Sequence, residues 1–302
     1  MDAENPVTLR CLGCGAGKTA IYDDEASSSW ALTMNGKAFF LADLGIGVCR
    51  SAMQHLGEIP CTIFISHNHS DHAGELPVVL AVEGVQRKRR MQVLAAPEVL
   101  SRLQTYRMHE LESSGLHLDQ LATWTPTPEE ETLQVDTQVG LLKLTSFRSR
   151  HSETCFGARL EIGELCIGWT ADSGYAPRLM DALSVKCQLL IVDARKDGSA
   201  EHASFQDIVE YVSSRPQMDF LGVRPEESLC HVVVIGYGAQ SEAPTPEDLP
   251  SSAVLRPGDE IGFSAPHERP FLRAGACRAG EVQRWRADAG AQVLKLCNWC
   301  CR

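Results

Sequence analysis

The sequence lacks any run of 18 apolar residues in its 302 positions, so no membrane-spanning helix is expected. It also lacks a secretory opening. Met1-Asp2-Ala3-Glu4-Asn5-Pro6 is polar and acidic, without the basic flank and apolar core of a signal peptide, and the expected location is cytoplasmic. Positive charge is scarce: 28 Lys and Arg stand against 39 Asp and Glu, a net charge of −11. A chain this acidic has no strong nucleic-acid footprint, because it lacks the broad attraction for phosphate backbones that such binders show. Its one basic cluster, Arg87-Lys88-Arg89-Arg90, reads as a solvated turn or helix end. A second cysteine pair at finger spacing is missing too. Cys11-Leu12-Gly13-Cys14 has knuckle spacing, but no other pair lies at finger distance from it, which argues against a zinc finger. The twelve cysteines read instead as reduced, mostly buried small hydrophobes.

What is present is an ordinary globular balance, 44% hydrophobic and 22% charged residues, long enough to bury a substantial core. Val7–Gly13 reads as a strand running into a Gly-rich loop. Asn35-Gly36 between two β-prone runs, residues 28–34 and 37–43, signals a hairpin. A helix is expected around 46–57, and Thr62–Ser66 is a short apolar strand of the kind buried inside a covered sheet. Residues 76–84 and much of 97–122 read as helical, 91–95 as a strand, and 125–132 as a linker. The second half adds strands at 141–147, 158–162, 165–169, 189–193 and 231–235, with a helix at 205–213. Residues 254–263 read as a last edge strand, and a helix is expected over 280–296. Two β-rich halves with helices outside suggest a layered α/β sandwich, with one domain over 1–265 and a tail over 266–302, including the terminal Cys297, Cys300 and Cys301, without a fold of its own.

Directly after the apolar strand comes His67-Asn68-His69-Ser70-Asp71-His72. Neutral imidazole and carboxylate are the preferred zinc ligands outside thiolate sites. In a loop, His67 and His69 can face one way while Asp71 and His72 face a neighbouring position, so one segment can serve two metals. A polar loop with incidental histidines is the bland alternative.

The run has the pattern His, any residue, His, any residue, Asp, His, and the sequence resembles the metallo-β-lactamase superfamily, most closely its tRNA 3′-processing (RNase Z) branch. Leu12-Gly13-Cys14-Gly15 is similar to the family's opening loop, and Phe39, Leu41, Asp43 and Gly45 to its second strand and supporting turn. The resemblance implies a four-layer αββα sandwich. It implies His151 as the third ligand of a first metal, and Asp172 as the carboxylate that bridges two metals. It also implies an acidic residue at Asp193 that orients His202, the proton donor to a leaving oxygen; a cap for the helix from Phe205 is the other reading of His202. Asp71 is expected both to bind metal and to orient the nucleophile.

Two departures bear on function. Gly236, in Val234-Ile235-Gly236-Tyr237-Gly238, stands where the family places the last histidine of the second metal. The twenty residues between His151 and Asp172 leave no room for the branch's tRNA-gripping arm. The expectation is therefore a hydrolase with one or two zinc ions, manganese or iron(II) being alternatives. It acts through metal-bound hydroxide on a phosphodiester, small or cyclic or in RNA. A thioester, lactone or lactam hydrolase, or a non-catalytic metal-binding relative, is the competing reading. A homodimer is left open.

Overall fold

The computed structural model describes residues 6–223, 230–263 and 270–274. The helix expected over 280–296 and the cysteines beyond residue 274 lie outside them.

Two large sheets carry the chain. The first has the order β16-β15-β1-β2-β3-β4-β5-β6. Its strands are β1 (Val7–Gly13), β2 (Ser29–Met34), β3 (Lys37–Ala42), β4 (Thr62–Phe64), β5 (Met91–Ala95), β6 (Ala122–Pro126), β15 (Glu260–Phe263) and β16 (Phe271–Arg273). The second has the order β13-β14-β11-β10-β9-β8-β7, with β12 paired to β11. It comprises β7 (Thr132–Thr137), β8 (Gly140–Arg148), β9 (Phe156–Ile162), β10 (Leu165–Trp169), β11 (Leu189–Arg195), β12 (Ala203–Ser204), β13 (Met218–Phe220) and β14 (Cys230–Ile235). Helices flank the sheets: Val48–His55 packs on β1, and Pro177–Ser184 on β9, β10 and β11. The expected α/β layering is what the chain forms.

The Asn35-Gly36 hairpin forms as read, both residues having positive φ, as its tight turn demands. The helix over 205–213 is also found, opened by a capping box in which Ser204 accepts from Asp207 N–H. Among the strands absent from the sequence reading are three at sheet edges. β6 and β7 border what reads as a linker, and β13 is three residues long. Each lies at the edge of its sheet. An edge strand has less to bury, so its alternation is faint: Val135 alone is buried in β7. The expected last edge strand shrinks to β15. It is not the edge, since β16 pairs outside it, beyond residue 265 where the sequence reading ends the domain.

A ring cluster joins the sheets just below the histidine loop. Trp30 of β2 meets Trp169 of β10 edge-on with centroids 5.6 Å apart, Phe64 of β4 meets Trp169 at 6.2 Å, and Trp30 meets Phe40 at 5.7 Å. Aromatic pairs of this geometry add to ordinary area burial. Phe64 precedes His67 by three residues and Trp169 precedes Asp172 by three, so the cluster fixes the height at which both loops leave their strands. Trp169→Ala is expected to lower unfolding stability by about 3–5 kcal/mol in urea denaturation. Combined with Trp30→Ala, the loss should be less than additive, because the two rings touch.

Candidate metal centre

β10, β11 and β14 run parallel, so the loops after Trp169, Arg195 and Ile235 open at one end of the second sheet. β4 runs parallel to β3 and β5 and delivers the histidine loop to the same crevice, where His67 and His72 both approach Asp172. Arg87–Arg90 precedes β5 and so lies at the opposite strand end from His67. Arg87 and Arg89 are both paired to Glu83, in keeping with a structural role.

The organising group is Asp43, fully buried at the end of β3 with φ of 62°. Its Oδ1 accepts the Ser66 N–H at 2.7 Å, and its Oδ2 accepts the Ser66 hydroxyl at 2.7 Å and His72 Nδ1–H at 2.6 Å. Because the Ser66 proton goes to Asp43, the proton between Ser66 Oγ and His67 Nδ1, 3.0 Å apart, belongs to the imidazole. Both rings are thus held as Nδ1–H tautomers with Nε2 turned inward. This is the usual outer support of a metal-binding histidine. Gly45 lets the turn close, since a Cβ there would collide with the Asp71 carbonyl. Arg107 clamps the loop from outside through the Asn68 carbonyl at 2.6 Å and its side-chain oxygen at 2.8 Å.

His67 Nε2 lies 3.0 Å from His69 Nδ1, which lies 3.3 Å from His151 Nε2. With the His67 proton on Nδ1, its Nε2 meets this group as a bare lone pair. Nitrogens bound to one zinc at about 2.0–2.1 Å in a tetrahedron stand at such spacings, so the three rings fit a divalent metal. Burial also pushes the His67 imidazole well below its ordinary pKa, and the His151 imidazole below its own. Both are therefore neutral, as ligands must be.

A second group adjoins the first. His67, His72 and Asp172 place one ligand atom each within 4.8 Å of the others, with His72 Nε2 3.3 Å from Asp172 Oδ2. Burial opposes charge on both. Even so, Asp172 and Asp43 hold the His72 pKa well above its usual value, and His72, His67 and His202 hold Asp172 well below its own. Asp71 Oδ2 stands 3.9 Å from His72 Nε2 but accepts the Gly17 N–H at 3.0 Å, and Asp71 belongs to none of the candidate ligand groups among the described residues. Gly236 lies beyond the end of β14 with φ of 77°, and His231 is buried at the far end of that strand, opposite Leu189.

Beyond the metal donors, His202 Nδ1 donates to Asp193 Oδ2 at 2.7 Å and stands 4.0 Å from Asp172 Oδ2. Burial lowers the basicity of His202, but Asp193 and Asp172 more than restore it. Asp193 itself is pushed up to about 6 by burial and by the Asp172 charge. The helix beginning at Phe205 is capped by Ser204, so His202 is not its cap. The sequence reading placed Asp43 in the turn that supports the site, by its resemblance to the family pattern, but counted neither it nor Ser66 among the site residues. Glu201, which joins His151 and His202 in a further candidate ligand group, carried no signal.

The family model described as anti-Pycsar protein Apyc1 matches residues 7–221. The chain belongs to the anti-Pycsar protein Apyc1 family. No curated protein sequence matches it. Among solved structures it is similar to the metallo-β-lactamase fold protein YhfI from Bacillus subtilis, with 15% identity over 85% of this chain and 100% of that one and a TM-score of 0.64. It is also similar to a diphosphatase of the PhnP family, with 15% identity over 85% and 97% of the two chains and a TM-score of 0.61. Human tRNase Z, short form, shares 17% identity over 88% of this chain and 98% of its own, with a TM-score of 0.57. These likenesses show that this Apyc1-family chain has the metallo-β-lactamase fold.

If Asp43 orients His67 and His72, Asp43→Ala should weaken zinc binding by about 10–100-fold in calorimetric titration; unchanged affinity would remove that role. Stripping metal from the wild type with a chelator should lower its melting temperature, because the donors converge only in the folded chain.

Proposed function

We propose that this protein is a metal-dependent phosphodiesterase acting on a small cyclic nucleotide. The observation that carries the reading is the Asp193–His202 pair, set beside the candidate metal donors with Nδ1 engaged at 2.7 Å and Nε2 left to act. The ligands would be His67, His69, His151 and Asp172 for a first ion, with His72, Asp71 and Asp172 serving a second, and zinc suits this mixed imidazole and carboxylate set. When bound, the metal supplies Lewis acidity toward phosphoryl oxygen and a water-derived nucleophile at neutral pH.

The residues of the chain do the rest. Opening a cyclic phosphodiester adds the elements of water across one P–O bond: hydroxyl goes to phosphorus and a proton to the departing sugar oxygen. An alkoxide is a poor leaving group, so the step gains from an acid placed beside it. Asp193 fixes the His202 tautomer and favours its protonated form, which makes Nε2–H the donor. Asp71, anchored by Gly17 N–H, is suited to orient the attacking water.

The family name suggests a role in cyclic-nucleotide degradation, and two of the fold relatives are named as acting on tRNA and as a diphosphatase. The short β9–β10 hairpin between His151 and Asp172 and the net charge of −11 favour a small substrate over RNA. The free thiols at Cys11, Cys14, Cys155, Cys166, Cys187 and Cys230 suit a reducing compartment such as the cytoplasm.

The test is hydrolysis by zinc-loaded protein of 3′,5′-cyclic nucleotides and bis-(p-nitrophenyl) phosphate, beside a thioester and a lactone. Turnover of the phosphodiesters is expected; cleavage of the carbonyl substrates alone would overturn the reading. His202→Ala is expected to reduce kcat on cyclic nucleotides by about 10²–10⁴-fold, whereas a carbonyl hydrolase with a good leaving group would hardly notice the change.

A further inference from the structure

Three cysteines gather at the strand ends far from the metal donors. Cys166 is the second residue of β10, Cys187 lies between the helix Pro177–Ser184 and β11, and Cys230 opens β14. Asp172 follows the other end of β10. All three cysteines are buried free thiols.

The local chain brings two of the sulfurs together. The Gln188 N–H donates to the Cys166 carbonyl at 2.9 Å, and the Gln188 side-chain oxygen accepts the Cys166 N–H at 2.7 Å. The turn before β11 is thereby fastened to the first residues of β10. The helix is pressed onto the same strand face: at Gly168, two residues on from Cys166, a Cβ would collide with the Leu183 carbonyl. Cys187 Sγ donates to that carbonyl at 2.9 Å. The sulfurs of Cys166 and Cys187 then stand 2.7 Å apart, from positions 21 residues apart in sequence. This is closer to a bonded pair, at about 2.05 Å, than the thiols of Cys11 and Cys14 come at 3.4 Å. Cys166 is the more exposed of the two, 6% against 2%. Burial, with Cys166 adding to it, pushes the Cys187 thiol far above its usual range, so Cys187 is the poorer first target of an oxidant.

We propose that Cys166 and Cys187 form an oxidation site, at which a hydroperoxide converts the two thiols into a disulfide that staples the helix Pro177–Ser184 and its turn to β10. The Cys166 sulfur takes one oxygen from the peroxide and becomes a sulfenic acid, while the peroxide leaves as water or an alcohol. The Cys187 sulfur then displaces the hydroxyl, an S–S bond forms, and water departs. Two thiols lose two electrons in all, and one peroxide gains them. The bond closes the β10–helix–β11 crossover that carries Asp172, which restricts the unfolded chain and removes no metal donor. The proposal is independent of the metal centre and of the substrate.

Full-length protein is treated with hydrogen peroxide, quenched, alkylated in denaturant and digested without reduction for peptide mass spectrometry. A peptide pair linked through Cys166 and Cys187 is expected. The melting temperature of the oxidised protein should rise by about 5 °C, and dithiothreitol should reverse the rise. Cys166→Ser and Cys187→Ser should each lose both the link and the shift, whereas Cys230→Ser should keep them. Recovery of Cys166 and Cys187 unlinked, whether alkylated or over-oxidised, overturns the proposal. A link from either of them to Cys230 instead also overturns it, and a link without a rise in melting temperature overturns the stapling role. Should the serine variants fail to fold, the wild type alone decides, because its crosslink is read directly by mass.

Discussion

The centre depends on one buried carboxylate. Asp43 accepts three hydrogen bonds from Ser66 and His72, and through the Ser66 hydroxyl it also sets the proton position of His67. Burying a charge with 0% exposure is costly unless its hydrogen-bonding capacity is spent. Here it is spent on the residues whose orientation the site needs. Removing Asp43 would leave His72 without a reason to turn Nε2 inward and Ser66 free to accept another tautomer. The left-handed backbone at Asp43 is the local strain that lets a strand-end carboxylate point back under the loop it supports.

That hub belongs to the first sheet, yet the donors it organises are completed from the second. His67, His69 and His72 follow β4, whereas His151 and Asp172 follow β8 and β10, and Asp193, which holds His202, lies in β11. Their meeting relies on the ring cluster of Trp30, Phe64 and Trp169, which sets the separation of the sheets. Packing and chemistry are thus one problem. A change in the rings moves two sets of ligands relative to each other.

Central strands were legible in the sequence because they are buried on both faces and read as plain apolar runs, as in Leu189–Val192 and Val232–Ile235. β6, β7 and β13 were not, because each lies at a sheet edge. The helix Pro177–Ser184 went unread too; of its eight residues Met180 and Leu183 are the buried ones. Spacing announced His67, His69, Asp71 and His72, the family resemblance implied His151, Asp172, Asp193 and His202, and the structure gathers all of these except Asp71 into overlapping clusters. Asp71 stands beside them, bound to Gly17. What sequence could not show was directional: that Asp43 holds His72 directly and His67 through Ser66, and that Asp193 leans into the room left by Gly236. Both depend on where a side chain points, which no periodicity encodes.

The first sheet is closed by strands from the other end of the chain. β1 lies between β2 and β15, and β16 pairs outside β15, so residues 7–13 obtain their second neighbour only from residues 260–263. During synthesis the dense histidine segment at 67–72 emerges long before either His151 or that closing strand exists. A nascent chain would therefore display its histidine segment without its later neighbours for much of its translation, and the sheet beneath it would still have an open edge. Long-range closure of this kind slows folding and prolongs exposure of unpaired backbone. For this molecule, β1 gains its full set of neighbours only once residue 263 has been made.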